Sequence, residues 1–194
     1  MNLKTSMVLT ILALLCFSEL AIAQGNMVLN GSFDTDTSGW ILTNLNVSAG
    51  GGYKSAYGDP LGSVLLYNPS SSLVPMASQV IYSLTPGSIY IVSGDYQKSV
   101  GKDAIDNSFG AAIDGNFLFE TPAPADHSWH SFSFEYTATS TSVLLSLEAQ
   151  INGTDYSYFI DNISMEAVPE PGSLCLFGLG GMISAMFFKN RRQG

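Results

Sequence analysis

The sequence predicts an all-β protein, a β-sandwich or jelly roll, on three observations. No stretch of ten or more residues carries a clear 3.6-residue apolar period. Apolar and polar residues alternate instead in short runs, and Gly, Pro, Asn and Asp break those runs repeatedly. Eight to ten such runs fit within about 145 residues, enough for one two-layer core.

Taken in order, the predicted strands are Met27 to Leu29, Leu45 to Ala49, Ser63 to Tyr67, Ala77 to Leu84, Ile89 to Tyr96, Phe109 to Ile113 and Asn116 to Phe119. Three longer ones close the series. In Trp129 to Thr137, Phe132, Phe134 and Tyr136 alternate with Ser131, Ser133 and Glu135, which assigns one face to the core and one to water. Val143, Leu145 and Leu147 repeat that pattern, and the turn at Thr139 to Ser142 predicts that these two strands pair. In the last strand Phe159, Asp161, Ile163 and Met165 fall on one face, with Tyr158, Ile160 and Asn162 on the other. Thr85-Pro86-Gly87 has the residues of a type II turn, and Asp114-Gly115 those of a type I′ hairpin. The segment Ala49 to Pro60, with three consecutive glycines plus Tyr53 and Tyr57, reads as a binding loop.

The two ends are different in kind. Residues 1–23 have the form of a secretory signal peptide: Lys4, an apolar stretch from Met7 to Phe17, and Ala21-Ile22-Ala23 as a small-x-small cleavage site. Residues 168–194 combine a Pro-Glu-Pro turn (Pro169, Glu170, Pro171), an uncharged apolar run at 172–188, and a basic end with Lys189, Arg191 and Arg192. As a helix the run would span about 25 Å, slightly short of a bilayer core of about 30 Å, and the basic end would stay cytoplasmic. A transmembrane helix with the bulk of the chain outside is therefore expected. This three-part order closely resembles the PEP-CTERM sorting signal of Gram-negative bacteria. The resemblance implies processing by an exosortase-type membrane protease, transient anchoring in the inner membrane, and a final place on the cell surface or in the extracellular matrix. A plain C-terminal anchor gives the same topology.

Between the ends, at 24–167, three lysines face fourteen acids. Such a surface repels phosphate backbones, which excludes nucleic acid as a natural partner and suits divalent cations and neutral glycans. Both cysteines, Cys16 and Cys175, lie in the ends, so this domain has no disulfide.

Two short segments carry a second resemblance. Val28-Leu29-Asn30-Gly31-Ser32-Phe33-Asp34 followed by Gly39-Trp40 is similar to the opening of galactose-binding-like jelly rolls, which include many carbohydrate-binding modules. Phe159-Ile160-Asp161-Asn162-Ile163 resembles their closing strand. The resemblance implies a jelly-roll β-sandwich in which first and last segments lie together and share a structural Ca2+, with Asp34 and Asp161 as carboxylate ligands. A capping role for Asp34 and a hydrogen-bonded strand role for Asp161 are the alternative.

Trp40 and Trp129 are expected in the core, while Tyr53, Tyr57, Tyr96 and Phe109 are the expected exposed platforms for a sugar ring, with Asp95 or Gln97 supplying hydrogen bonds. His127 and His130 are three apart, an offset that places them on opposite faces of a strand. No nucleophile, metal triad or cofactor motif is visible. The expected function is non-catalytic binding of extracellular polysaccharide. The rivals are a structural matrix protein without a small ligand, and an extracellular glycoside hydrolase or esterase.

Overall fold

The computed structural model describes residues 25–69, 73–99, 108–150 and 157–169. Ten strands follow in order: β1 Ile41–Thr43, β2 Gly52–Lys54, β3 Ser63–Tyr67, β4 Met76–Tyr82, β5 Ile89–Lys98, β6 Ser108–Ile113, β7 Asn116–Pro122, β8 Trp129–Thr137, β9 Ser142–Gln150 and β10 Ser157–Ala167. They form two five-stranded antiparallel sheets, β1-β4-β9-β6-β7 and β2-β3-β10-β5-β8. We call these sheet A and sheet B. The fold is the two-layer jelly-roll sandwich expected from the alternation.

The core lies between the sheets. Sheet A contributes Ala77, Ile81, Phe109, Ala111, Ile113, Val143, Leu145, Leu147 and Ala149; sheet B contributes Val64, Leu66, Tyr90, Val92, Tyr96, Phe132, Tyr158, Ile160, Ile163 and Met165. Phe109 stacks on Tyr96 at 4.7 Å and lies 5.5 Å from Phe132 and 5.7 Å from Tyr158, so one aromatic cluster joins the sheets. Each such ring removed from water contributes about 1.5–3 kcal/mol.

The turn chemistry performs as its residues require. Asp114 (φ 50°) and Gly115 (φ 79°) make the two-residue connection between β6 and β7, both with the positive φ of a type I′ turn. Gly87, at φ 91°, takes the third position of the Thr85–Ser88 turn, closed by Ser88 N–H donating to Thr85 O at 3.1 Å.

Four expectations are corrected. Met27 to Leu29 is not a strand: Asn26 Oδ1 accepts from both Val28 N–H and Met165 N–H, interposing a side chain where a ladder would run. The chain instead turns through Asn30 (φ 50°), and Gly31 sits so close to β10 that a Cβ there would be 1.9 Å from Ile163 O. Leu45 to Ala49 ends in a 3₁₀ turn, Val47–Ala49, because Asn46 caps it by accepting from Ala49 N–H at 3.0 Å. Strands β8 and β9 do not pair; β8 pairs with β5 in sheet B and β9 with β4 and β6 in sheet A, so the turn between them crosses from one layer to the other. Finally, β10 has a bulge between Asp161 and Ser164, with Asn162 at φ 53°. The extra residue reverses the alternation. Tyr158, Ile160, Ile163 and Met165 all reach the core, while Phe159 and Asp161 lie on the outer face of sheet B.

Among the described residues no helix is long and apolar enough to cross a membrane. The signal peptide at 1–23, the apolar run at 172–188 and the residues Glu170, Pro171, Arg191 and Arg192 lie outside the described residues; Pro169 is exposed at their edge.

Candidate functional site

The bulge matters because it turns a phenylalanine and an aspartate outward onto sheet B. In register, Phe159 of β10 lies beside Gln97 of β5, which lies beside Trp129 of β8. One row along, Asp161 lies beside Asp95 and Ser131; the next row is Ser164, Ser93 and Ser133. Two residues per strand at about 3.4 Å each separate successive rows by about 7 Å.

The segment 55–62 leaves β2 and folds over one edge of this face. Gly62 N–H donates to Tyr57 O at 2.8 Å and Asp59 N–H to Asp161 Oδ2 at 2.9 Å. Only glycine fits at 62, where φ is 118° and a Cβ would meet Phe33 O at 2.4 Å. The fold of the segment lays the Tyr57 ring on Phe159, 5.0 Å apart and 17° from parallel. Phe159 is thereby buried without joining the core, while Tyr57 stays 55% exposed. Trp129 is half-buried and likewise packs outside the core.

Polar groups between these rings are held in place. Ser131 Oγ donates to Asp95 Oδ1 at 2.7 Å, Asn162 Nδ2 donates to Asp95 Oδ2 at 3.0 Å, and the Ser93 and Ser164 hydroxyls bond each other at 2.9 Å. The Gln97 amide donates to His127 O. The result is an open surface with aromatic faces at its ends and oriented amides, hydroxyls and a carboxylate between them.

Asp161 is 0% exposed. Burial pushes its carboxyl up to about 6 from the ordinary 3.8; the N–H groups of Asp59 and Asn162 oppose the shift, and the like charges of Asp95 and Asp34 add to it. Among the described residues no basic side chain pairs with it, and no three His, Cys, Asp or Glu residues cluster as a metal site. The buried Ser63 hydroxyl, which continues the β3 register beside Asp161, has no hydrogen-bond partner. The donor set here, one buried carboxylate beside an unpartnered hydroxyl, consists of oxygen only, the kind a hard divalent ion takes. Asp34 itself is exposed, and Tyr53 OH donates to its carbonyl at 3.1 Å.

Of the expected platforms, Tyr57 is exposed and Tyr53 is half-buried against the core. The exposure expected for Tyr96 and Phe109 is corrected: they are 6% and 0% exposed. Both residue sets of β5 begin apolar, with Ile89 and Ile91 outward and Tyr90 and Val92 inward, so composition could not tell which face held Tyr96. Trp40 is in the core as expected, its indole N–H shared between Leu29 O and Asn30 O. Trp129 belongs instead to the outer face. His127 and His130 diverge, His130 bonding Asp126 at 2.7 Å and His127 facing Lys98 O at 3.2 Å.

Comparison with known proteins gives two findings. Residues 167–192 match the family model described as the PEP-CTERM protein-sorting motif. No curated protein sequence matches the chain. Among solved structures, the CBM22-1 xylan-binding domain from Paenibacillus barcinonensis Xyn10C superposes with a TM-score of 0.55 at 16% identity, covering 77% of this chain and 99% of that one. TmCBM61, solved with β-1,4-galactotriose, gives 0.54 at 16% identity, covering 76% and 100%. The enzymatically active domain of bacteriophage CBA120 tailspike protein 4 gives 0.54 at 13% identity; 74% of this chain is covered but only 21% of the tailspike. At such identities the likeness is one of fold. The chain thus joins a jelly-roll domain, of the fold seen in carbohydrate-binding modules, to a PEP-CTERM protein-sorting motif at 167–192.

Proposed function

We propose that the chain is an exported, non-catalytic module that binds extracellular polysaccharide on the outer face of sheet B, and that an exosortase-type protease of a Gram-negative bacterium processes its C-terminus. The supporting observation is the row Phe159, Gln97, Trp129 capped by the exposed Tyr57 ring. Aromatic faces pack against the apolar faces of sugar rings, and fixed amides and hydroxyls orient the ring hydroxyls. The segment Ala167 onward, with its sorting motif, would hold the protein in the inner membrane until cleavage releases it to the surface or matrix.

Asp161, with Asp34 and neighbouring carbonyl and hydroxyl oxygens, would hold Ca2+. Such an ion would offset the buried charge of Asp161, and the residues would fix segment 55–62 against β10.

A hydrolase is the rival that one observation favours, since Asp95 and Asp161 are cross-strand neighbours and one has a raised pKa. Burial argues against it: the Asp161 carboxylate is covered and has both oxygens engaged by N–H groups.

The test is binding to immobilised plant and bacterial polysaccharides. Trp129→Ala should weaken retention about tenfold or more with unchanged thermal stability. Equal retention by the variant would remove this face from the function, and no retention of the wild type on any glycan would favour the structural-matrix reading.

A further inference from the structure

The outermost strands of the two sheets are not alike. β1 and β2 are three residues long; β7 carries Pro122, and its pairing with β6 shifts register at Ala111/Ala112. Short length, proline and irregularity are ordinary means by which a sheet edge is kept from pairing with another chain. β8 has none of them. Its nine residues pair one for one with β5, from Ile89↔Thr137 to Gln97↔Trp129, without a shift, and they include no proline and no lysine.

The other side of β8 is open. Ala138, which continues the strand, donates its N–H to Ser88 O at 3.0 Å and accepts from Gly87 N–H at 2.8 Å, so both its main-chain groups point to the β5 side. Main-chain groups of successive strand residues alternate in direction. The even-numbered residues of β8 therefore bond β5, while Trp129, Ser131, Ser133, Glu135 and Thr137 aim their N–H and C=O groups away from the sheet, where among the described residues nothing pairs with them. Phe134, on the core side, is only half-buried, so the core too is partly uncovered along this edge.

We infer that this edge is a self-association surface, on which β8 of a second copy pairs antiparallel and continues sheet B. The strand is self-complementary about its midpoint, Ser133. A two-fold axis there pairs all nine residues of each copy through about ten main-chain hydrogen bonds. It sets Ser131 against Glu135 of the second copy, and Phe132 against its Phe134. The one acidic side chain of the strand thus meets a hydroxyl instead of its like, and the half-buried Phe134 gains an aromatic neighbour. In a domain with three lysines against fourteen acids, an edge with a single acid is where two copies can meet without repulsion. Both outer faces then lie on the same side of one continuous sheet, with the two Trp129 residues about 27 Å apart. The inference stands on the edge and does not depend on what that face binds.

The experiment uses the full chain in detergent micelles, carrying Cys16→Ser and Cys175→Ser so that added cysteines report alone. Sedimentation should show a reversible dimer at concentrations up to about 1 mM. Ser133→Cys, whose two Cα atoms meet about 5.5 Å apart across the axis, should give a disulfide-linked dimer under mild oxidant; Thr137→Cys, about 27 Å from its own copy, should not. Ser133→Pro removes an N–H that β5 does not use, and Ser133→Lys sets two like charges together on the axis. Each should raise the dimer dissociation constant about tenfold or more; if Ser133→Pro fails to fold, Ser133→Lys decides. Association through the apolar C-terminal run would be indifferent to position 133. Such indifference, or equal cross-linking at 133 and 137, overturns the inference. So does a chain that stays monomeric throughout, which would leave the edge to a strand of another protein.

Discussion

Burial of the Asp161 carboxylate gives the chain an unusual pH dependence in the absence of a divalent ion. Most native carboxylates are held below their unfolded pKa and favour folding as pH rises. Asp161 is held above it, at about 6 against 3.8. Its neutral form is therefore the one the folded state prefers: relative to the unfolded chain the folded protein binds more protons between these values, and stability falls as pH rises from about 4 to above 6. The shift of about two units corresponds to about 3 kcal/mol, which for a domain of this size is a drop in Tm of about 10 °C between pH 4 and pH 7. Asp36 and Asp126 act in the opposite sense, since hydrogen bonds from Ser38 and from His130 respectively hold them below their ordinary value, but both are solvent-exposed and act below the same window. Thermal melts in chelator followed by the fluorescence of buried Trp40 would measure the slope. Asp161→Asn provides the subtraction: it keeps the shape, cannot ionise, and should flatten the fall while costing one of the two N–H contacts now accepted. A wild-type Tm that is constant or rises through pH 4 to 7, or a variant with the same slope, would refute the assignment.

Three further outcomes follow from the same geometry. Asp34→Ala should lower Tm in Ca2+ and leave it unchanged in chelator, and equal losses in both would mean that no ion is shared between Asp34 and Asp161. Gly31→Ala should cost about 2 kcal/mol or more in urea unfolding, because the added methyl meets a backbone carbonyl of β10 and neither side can yield cheaply; a cost below about 0.5 kcal/mol would show that the N-terminal segment is not seated on the last strand as described. Intact mass of protein recovered from native cells and medium should show a species starting at Gln24 and ending near Pro169 to Pro171. Retention of the apolar run through Gly194 in every fraction would leave a plain anchored protein.

Much of the architecture was legible because it depends on short-range rules. The period-two runs placed Ser63–Tyr67 and Trp129–Thr137 with their observed limits, and the residues at Thr85–Ser88 and Asp114-Gly115 dictated their own turns. The site was less legible. Alternation reports which residues share a face, not which strand lies next door, so the β8–β9 turn looked like a hairpin when it is a crossing between layers. Nor could it place Trp129 in one row with Gln97 and Phe159, residues thirty or more positions apart that only register unites.

What the sequence alone determined is the layer architecture and the sorting motif, since both are written in local periodicity and in the order of adjacent residues. What the tertiary structure decided is the binding face. One residue of left-handed backbone, Asn162, reverses the faces of β10, sending Ile163 and Met165 inward and leaving Phe159 and Asp161 outside, where segment 55–62 covers them. The left-handed conformation is within reach of an asparagine, and it is adopted here where Gly31 presses on Ile163 and the amide of Asn162 spans Asp59 and Asp95. Those contacts join residues from four distant parts of the chain, and their energy exists only once the sheet has formed.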